Sequence, residues 1–171
     1  MAVARFCLRC GARLRSAVED GRRRLRCPAC GWTFYGNPVP AAVALVARGD
    51  RVLLTLRARA PYAGTWDLPG GFLEAGETAE EGLVRELREE LGMRVRTLRL
   101  LTTAHDVYGP RGFPVLTLVY RVTPAAGPLS AADDVAEARW FPRDRLPLRR
   151  IAFRGVREAL RRWRDGRLSG S

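Results

Sequence analysis

A chain of 171 residues, 47% of them apolar, suits one ordinary domain with a small addition, which excludes a disordered chain and a large multidomain assembly. All 30 basic residues are Arg against 18 acids, and the net charge of +12 sits at the ends: residues 1–36 carry eight Arg and two acids, residues 143–171 ten Arg and three acids, and the middle is near neutral. Basic ends favour polyanions or phosphate-bearing ligands, although an all-Arg set reads first as codon bias.

No apolar run of about 18 residues is present, so no transmembrane helix is expected. The opening MAVARFCLRCGARL lacks the apolar stretch of a signal peptide. A soluble, cytoplasmic protein is expected, with no membrane partner.

The first element is a pair of C-x-x-C knuckles, Cys7/Cys10 in CLRCG and Cys27/Cys30 in CPACG. Four thiolates in two tight turns can grip Zn²⁺ tetrahedrally, and Gly11 and Gly31 stand where each turn calls for positive φ. Two disulfides or free thiols are the alternatives; disulfides are disfavoured without a secretion signal. Few apolar residues surround the knuckles, so folding here leans on the metal. Four sulfurs fill the shell, which makes the site structural. Residues 1–36 resemble a zinc ribbon. The run GRRRLR (Gly21–Arg26) would be its basic loop for nucleic acid or a solvated hairpin tip; the absence of interleaved aromatic residues favours the latter.

FYGNPVP (Phe34–Pro40) is a turn-rich linker. Strands are expected over Ala41–Ala47 and Arg51–Arg57, joined at Gly49–Asp50, and over Arg96–Ala104, Pro114–Val122 and Glu137–Pro142. Between them a helix begins at the N-cap Thr78, with Glu80 and Glu81 in its first turn, and stops at Gly92. A closing amphipathic helix is expected over residues 151–164, with Ile151, Val156, Leu160 and Trp163 inward. Strands on both sides of a helix suggest a mixed sheet between helices.

The middle helix raises a question, because Glu86, Glu89 and Glu90 crowd together just after a Gly-rich turn. At about 100° per residue, with Glu86 at zero, Glu90 falls at about 40° and Glu89 at about 300°. The apolar face of Val84, Leu87 and Leu91 falls at about 100–160°. Three carboxylates therefore share one arc beside the buried stripe. Solvent-exposed pairs such as Arg85 with Glu89 are worth only a few tenths of a kcal/mol and do not explain the preceding turn. A hard divalent cation does: carboxylates at this spacing can hold Mg²⁺ or Mn²⁺, which in turn binds phosphate oxygens.

Gly71, Glu77 and RELREELGM read as Gly-x5-Glu-x7-Arg-Glu-Leu-x-Glu-Glu-x-Gly-Met, and this 23-residue stretch resembles a complete Nudix box. The resemblance implies an α/β fold, a Nudix α/β/α sandwich with a mixed sheet over residues 37–165, preceded by the small zinc ribbon and followed by a tail over 166–171. It implies hydrolysis of a nucleoside diphosphate linked to another group. It implies Glu86 and Glu90 as principal metal ligands, Glu89 as a shared ligand or base, the Gly71 carbonyl in the metal shell, and Arg85 orienting the carboxylates through Glu77.

A ribbon followed by this box is similar to the arrangement of NADH pyrophosphatases and related ADP-ribose pyrophosphatase-like proteins. The Ser-Gln-Pro-Trp-Pro-Phe-Pro segment of NADH pyrophosphatases is replaced here by TTAHDVYGPRGFPVLTLVY, which shifts the expected substrate towards ADP-ribose or another nucleotide derivative. The basic ends leave room for an RNA-end substrate or a nucleotide-sensing regulator, and the family for a homodimer.

By the same resemblance Glu137, in EARW, reaches the metal cluster; a surface carboxylate is the alternative. Asp133 and Asp134 lie in a loop that could lend a base, although a helix cap or solvated turn is favoured, and the lone His105 reads as structural. Trp66 and Phe72 flank the Gly turn as core or as a base-stacking platform. Tyr108, Arg111 and Phe113 fall in a Gly/Pro loop, Asp106–Pro114, where a purine and a second phosphate-linked group fit. Trp66, Tyr108, Arg111 and Phe113 are the expected substrate-binding residues.

Overall fold

The computed structural model describes residues 4–110 and 112–168, and its strands form two separate sheets. The first is the cysteine-bearing ribbon, with β1 (Arg15–Glu19), β2 (Arg22–Arg26) and β3 (Thr33–Phe34) antiparallel in that order. Asp20 and Gly21 join β1 to β2 with φ of 50° and 71°. Positive φ at both central residues is the two-residue hairpin turn that suits strand twist, and Asp-Gly tolerates it. Within GRRRLR, Gly21 belongs to the turn and Arg22–Arg26 is a strand. Buried Cys7, Leu14 and Cys27 form a small core with Leu25, Trp32 and Phe34 packed against it.

The second sheet holds β4 (Val39–Arg48), β5 (Arg51–Arg57), β6 (Trp66–Asp67), β7 (Gly70–Phe72), β8 (Val95–Tyr108), β9 (Phe113–Pro124) and β10 (Val135–Pro142). The order is β10-β5-β4-β9-β8, with β6 beside β5 and β7 beside β4. The β4–β9 pair is parallel and the others antiparallel, so the sheet is mixed as expected. Period-two alternation along β4 fills both faces. Ala42, Ala44 and Val46 meet Leu83, Leu87 and Leu91 of α1 (Ala79–Leu91). Val43 and Leu45 meet Val156, Leu160 and Trp163 of α2 (Arg154–Arg164) on the other side. This is an α/β/α sandwich.

Three expectations change. Helix α2 starts at Arg154, because Asp106 Oδ1 accepts the Gly155 amide at 2.7 Å and fixes the first turn there. Ile151 is buried but extended, bridged to Trp66. The expected loop Asp106–Pro114 is mostly strand: Tyr108 and Phe113 are paired across the β8–β9 hairpin, leaving only a short turn around Gly109 and Gly112. Leu168, placed in the tail by the sequence, is buried in the core under α2.

Candidate active site and the comparisons that place it

Local chemistry fixes α1 where the carboxylates need it. The Thr78 hydroxyl accepts the Glu81 amide while Glu81 accepts the Thr78 amide, a reciprocal capping box, and Gly92 closes the helix in the left-handed region. The preceding turn is fixed by close approach. Gly70 has φ of 131°, and a Cβ there would strike the backbone carbonyl of Ala42. Gly71 lies against the Glu86 carboxyl: a Cβ would come within 2.6 Å of Glu86 Cδ. The turn is thus pressed onto the helix face that carries Glu86 and Glu90.

Arg85 organises this cluster. Its Nε donates to Glu77 Oε1 at 2.7 Å, Nη1 to Glu86 at 2.8 Å and Glu89 at 3.0 Å, and Nη2 to the Phe72 carbonyl at 3.1 Å. The Arg85 side chain and a backbone amide hold Glu77 down to about 2, and the same bonds raise Arg85 further. The expected link from Glu77 through Arg85 to the carboxylates is present.

Glu90 is the enclosed member, 6% exposed, with one oxygen accepting the Gly70 amide at 2.9 Å. Burial pushes its carboxyl up to about 9, with Asp134, Glu86 and Asp67 adding to the push. Burial raises Glu86 as well, although Arg85 opposes it. Arg85 reaches Glu86, but among the described residues no ion pair reaches Glu90, so this buried carboxylate lacks a positive partner. A divalent cation supplies one, and the donor set of Glu86, Glu90 and the Gly71 region is all hard oxygen, which fits Mg²⁺ or Mn²⁺. Glu89 is more exposed and turned to Arg85.

Glu86 and Glu90 open on a cavity of about 300 Å³. Gly71, Phe72, Asp133, Asp134, Arg57, Tyr108 and Phe153 line it with them. The aromatic wall is continuous: Tyr108 stacks on Phe153 at 5.9 Å between centroids and meets Phe72 at 5.1 Å and Phe113 at 5.3 Å. Tyr108 therefore shares a cleft with the glutamates, and Phe113 supports it from behind. Trp66 is 4% exposed, packed on Phe141 in the core, which leaves it no face for a base. Glu137 is outside the cavity lining and pairs with Arg139 at 2.6 Å. Arg111 lies outside the described residues. His105 is exposed on β8.

Reading the sequence missed the floor of this cavity. Asp67 and Asp106 are buried in it. Burial drives Asp67 up to about 7 against the pull of Arg57, 3.6 Å away. Asp106 accepts from Thr117 and the Gly155 amide. Arg57 leans over Phe153, and its Nε is enclosed without a hydrogen-bond partner. The signal was parity: Asp106 lies two residues from Ala104 on an inward strand face, and Asp67 interrupts the apolar Trp-x-Leu of a short strand. Asp134, read as a solvated turn, faces the same carboxylates.

In the ribbon, the Sγ atoms of Cys7, Cys10, Cys27 and Cys30 all lie within 4.8 Å of one another, and the closest pairs are 3.4–3.6 Å apart. Such spacing is too long for a disulfide and close to the edge of a tetrahedron with metal–sulfur bonds of about 2.3 Å. The Cys30 amide holds the Cys27 thiol down to about 6, while, against the pull of the Ala12 backbone, the neighbouring thiols push Cys10 up to about 12.

A carboxylate helix lies behind a Gly-rich turn and lines one cavity with aromatic side chains and Arg57. Residues 37–163 match the model of the NUDIX domain, and residues 5–36 match that of the Nudix N-terminal zinc ribbon. The chain belongs to the NUDIX family. It is 36% identical over 149 residues to a NAD-capped RNA hydrolase NudC of Pseudomonas aeruginosa, covering 84% of this chain but 49% of that protein. The chain thus spans about half the length of the NudC relatives it matches. It is 34% identical over 137 residues to an ADP-ribose pyrophosphatase of Methanocaldococcus jannaschii, covering 79% of this chain and 80% of the relative. A crystal structure of a NUDIX hydrolase from Nitrosomonas europaea superposes with a TM-score of 0.75 at 30% identity, over 96% of this chain and 92% of the other.

Proposed function

We propose that the chain hydrolyses the diphosphate bridge of a nucleoside diphosphate joined to a second moiety, with ADP-ribose and NAD(H)-type compounds ahead of simple triphosphates. One observation carries this reading: Glu86 and Glu90 share a cavity with Arg57 and the Tyr108–Phe72 wall, so the reacting centre and a platform for a base lie in one cleft. The names of the P. aeruginosa and M. jannaschii relatives point to the same substrate class.

Glu86, Glu90 and the Gly71 carbonyl would hold Mg²⁺ or Mn²⁺, with Asp134 facing the same ion. A bound cation supplies Lewis acidity to the diphosphate and to the attacking water. Arg85 holds Glu86 and Glu89 in place, and Glu89 takes the proton of that water. Water attacks one phosphorus, the anhydride bond breaks, and two phosphate monoesters leave, AMP and ribose 5-phosphate in the case of ADP-ribose. Arg57 neutralises charge on the departing phosphate side, and Tyr108 with Phe72 stacks the base. The ribbon takes Zn²⁺ as a structural ion, and its free cysteines fit the reducing cytoplasm. Among the described residues no helix is long and apolar enough to cross a membrane.

The deciding experiment is a panel of ADP-ribose, NADH, NAD⁺, NAD-capped RNA and dATP, each with Mg²⁺ and Mn²⁺. Higher kcat/KM for ADP-ribose or a dinucleotide than for dATP supports the proposal. Preference for dATP contradicts it. NAD-capped RNA is the second reading, favoured by the basic ribbon; it wins if the capped RNA outpaces both small compounds.

A further inference from the structure

The arginine run of the ribbon is not used by the hydrolytic site. Its strand register shows what it builds. Arg15 pairs with Arg26, Ala17 with Arg24, and Glu19 with Arg22. Residues paired directly across an antiparallel sheet project to the same face. Arg15, Arg22, Arg24 and Arg26 therefore share one face, opposed there by Glu19 alone among the paired residues. Arg23 projects to the other face, where it donates to Ser16. Along β2 the three arginines of the shared face form a row with Cα atoms about 7 Å apart.

The aromatic residue that the local sequence lacks comes from just beyond β3. The Arg24 guanidinium lies 4.6 Å over the Tyr35 ring and donates to the Tyr35 carbonyl at 3.3 Å. Tyr35 is 52% exposed, a large apolar ring left half in water. On the same sheet face a cavity of about 320 Å³ is lined by Arg15, Ala17 and Arg26, together with Cys27, Pro28 and Gly31. Cations in a row, a guanidinium–tyrosine stack and a concave strip between arginines are what a phosphodiester chain with unstacked bases requires.

We propose that this face, formed by Arg15, Arg22, Arg24, Arg26 and Tyr35, is a binding surface for single-stranded nucleic acid, separate from the catalytic cleft. The arginines hold phosphates, which gives affinity without sequence preference. Tyr35, backed by Arg24, stacks a base, which a duplex cannot offer because its bases are already stacked. An acidic peptide would satisfy the arginines but leave the tyrosine idle. The surface is independent of which diphosphate compound is cleaved.

The test uses the full zinc-loaded chain and a fluorescent single-stranded RNA of about 12 nucleotides with a 5′-hydroxyl end, which offers the hydrolytic site no diphosphate. Anisotropy is read between about 50 and 200 mM salt. The triple variant Arg15→Gln/Arg22→Gln/Arg24→Gln should bind at least about tenfold more weakly, with its salt slope reduced by about 2, since each phosphate contact on a single strand contributes about 0.7. Arg26 is left in place because its Nε donates to the Gly31 carbonyl of the second knuckle. Tyr35→Ala should lose about fivefold or more with the slope unchanged, and Tyr35→Phe should restore binding. Zinc content and ADP-ribose hydrolysis should match wild type throughout. If the triple variant loses zinc, the Tyr35 pair decides. The proposal is overturned if the variants bind RNA as wild type does, if duplex RNA or a polyglutamate peptide competes as well as single strands, or if Tyr35→Phe binds no better than Tyr35→Ala. A failure of ADP-ribose hydrolysis in the wild type would count against the proposed reaction and not against this surface.

Discussion

Gly71→Ala separates the site from the fold. A Cβ at Gly71 would lie 2.6 Å from Glu86 Cδ and Oε1 and 2.8 Å from Oε2. Non-bonded carbons settle at about 3.5–4.0 Å, so the Glu86 carboxyl must withdraw by about 1 Å. Only the end of one side chain has to move, and no left-handed φ constrains the backbone there. The stability cost should be about 1 kcal/mol, or about 2–4 °C in Tm. Activity should respond far more, because a displacement of about 1 Å in a reacting group can cost about 100-fold. The assay pairs a thermal melt with initial rates on ADP-ribose across a Mg²⁺ titration. Gly71→Ala should melt near wild type, need more Mg²⁺ and turn over about 100-fold more slowly. Gly70→Ala should instead fail to fold, since its Cβ meets the Ala42 backbone, which cannot withdraw. A Gly71→Ala enzyme with the wild-type rate and Mg²⁺ requirement would refute the idea that the turn positions Glu86.

Three further outcomes follow from the site. Cys7→Ser should release zinc and unfold the ribbon, since metal binding there is folding energy, while ADP-ribose hydrolysis persists; elemental analysis and a rate assay check both. Asp67 keeps its proton up to about 7 in the fold but releases it near 3.8 when unfolded, so stability should fall as pH rises from about 4 to about 7 and stay level above. Asp67→Asn should remove that loss, by up to about 4 kcal/mol at pH 8; equal pH dependence of Tm in variant and wild type would show that Asp67 is not the source. Tyr108→Ala should raise KM for ADP-ribose roughly tenfold with a smaller change in kcat, as expected for a lost stacking platform.

What could be read in advance was whatever repeats along the chain. Thr78 and Gly92 bracket α1 as their cap chemistry requires, and the apolar run Ala41–Ala47 lies in a strand buried on both faces. The arc of Glu86 and Glu90 followed from helix geometry. Strands β6 and β7 could not be read, because runs of two or three residues show no periodicity. Trp66 was uncertain for a different reason: a large amphipathic ring is compatible with a core or with a cleft, and only the packing of Phe141 decides. Glu137 pairs with Arg139 two residues along the same strand, a contact that the EARW pattern does not announce. The cavity floor needed tertiary information: Asp67, Asp106 and Arg57 come from three strands, and no spacing in the chain announces that they meet. Tyr35 under Arg24 is a similar case, a contact across 11 residues that local reading of the arginine run could not contain.

The central claim is that a cation-binding carboxylate cluster carries hydrolysis, and Glu90→Gln tests it most directly. Glutamine keeps an oxygen to accept the Gly70 amide, a bond of 2.9 Å, and removes only the negative charge. Because burial already favours the uncharged form of Glu90, the variant should melt at or above the wild-type temperature. Its turnover of ADP-ribose at saturating Mg²⁺ should fall by about 100-fold or more. A stable Glu90→Gln protein that hydrolyses ADP-ribose at near the wild-type rate would contradict the account.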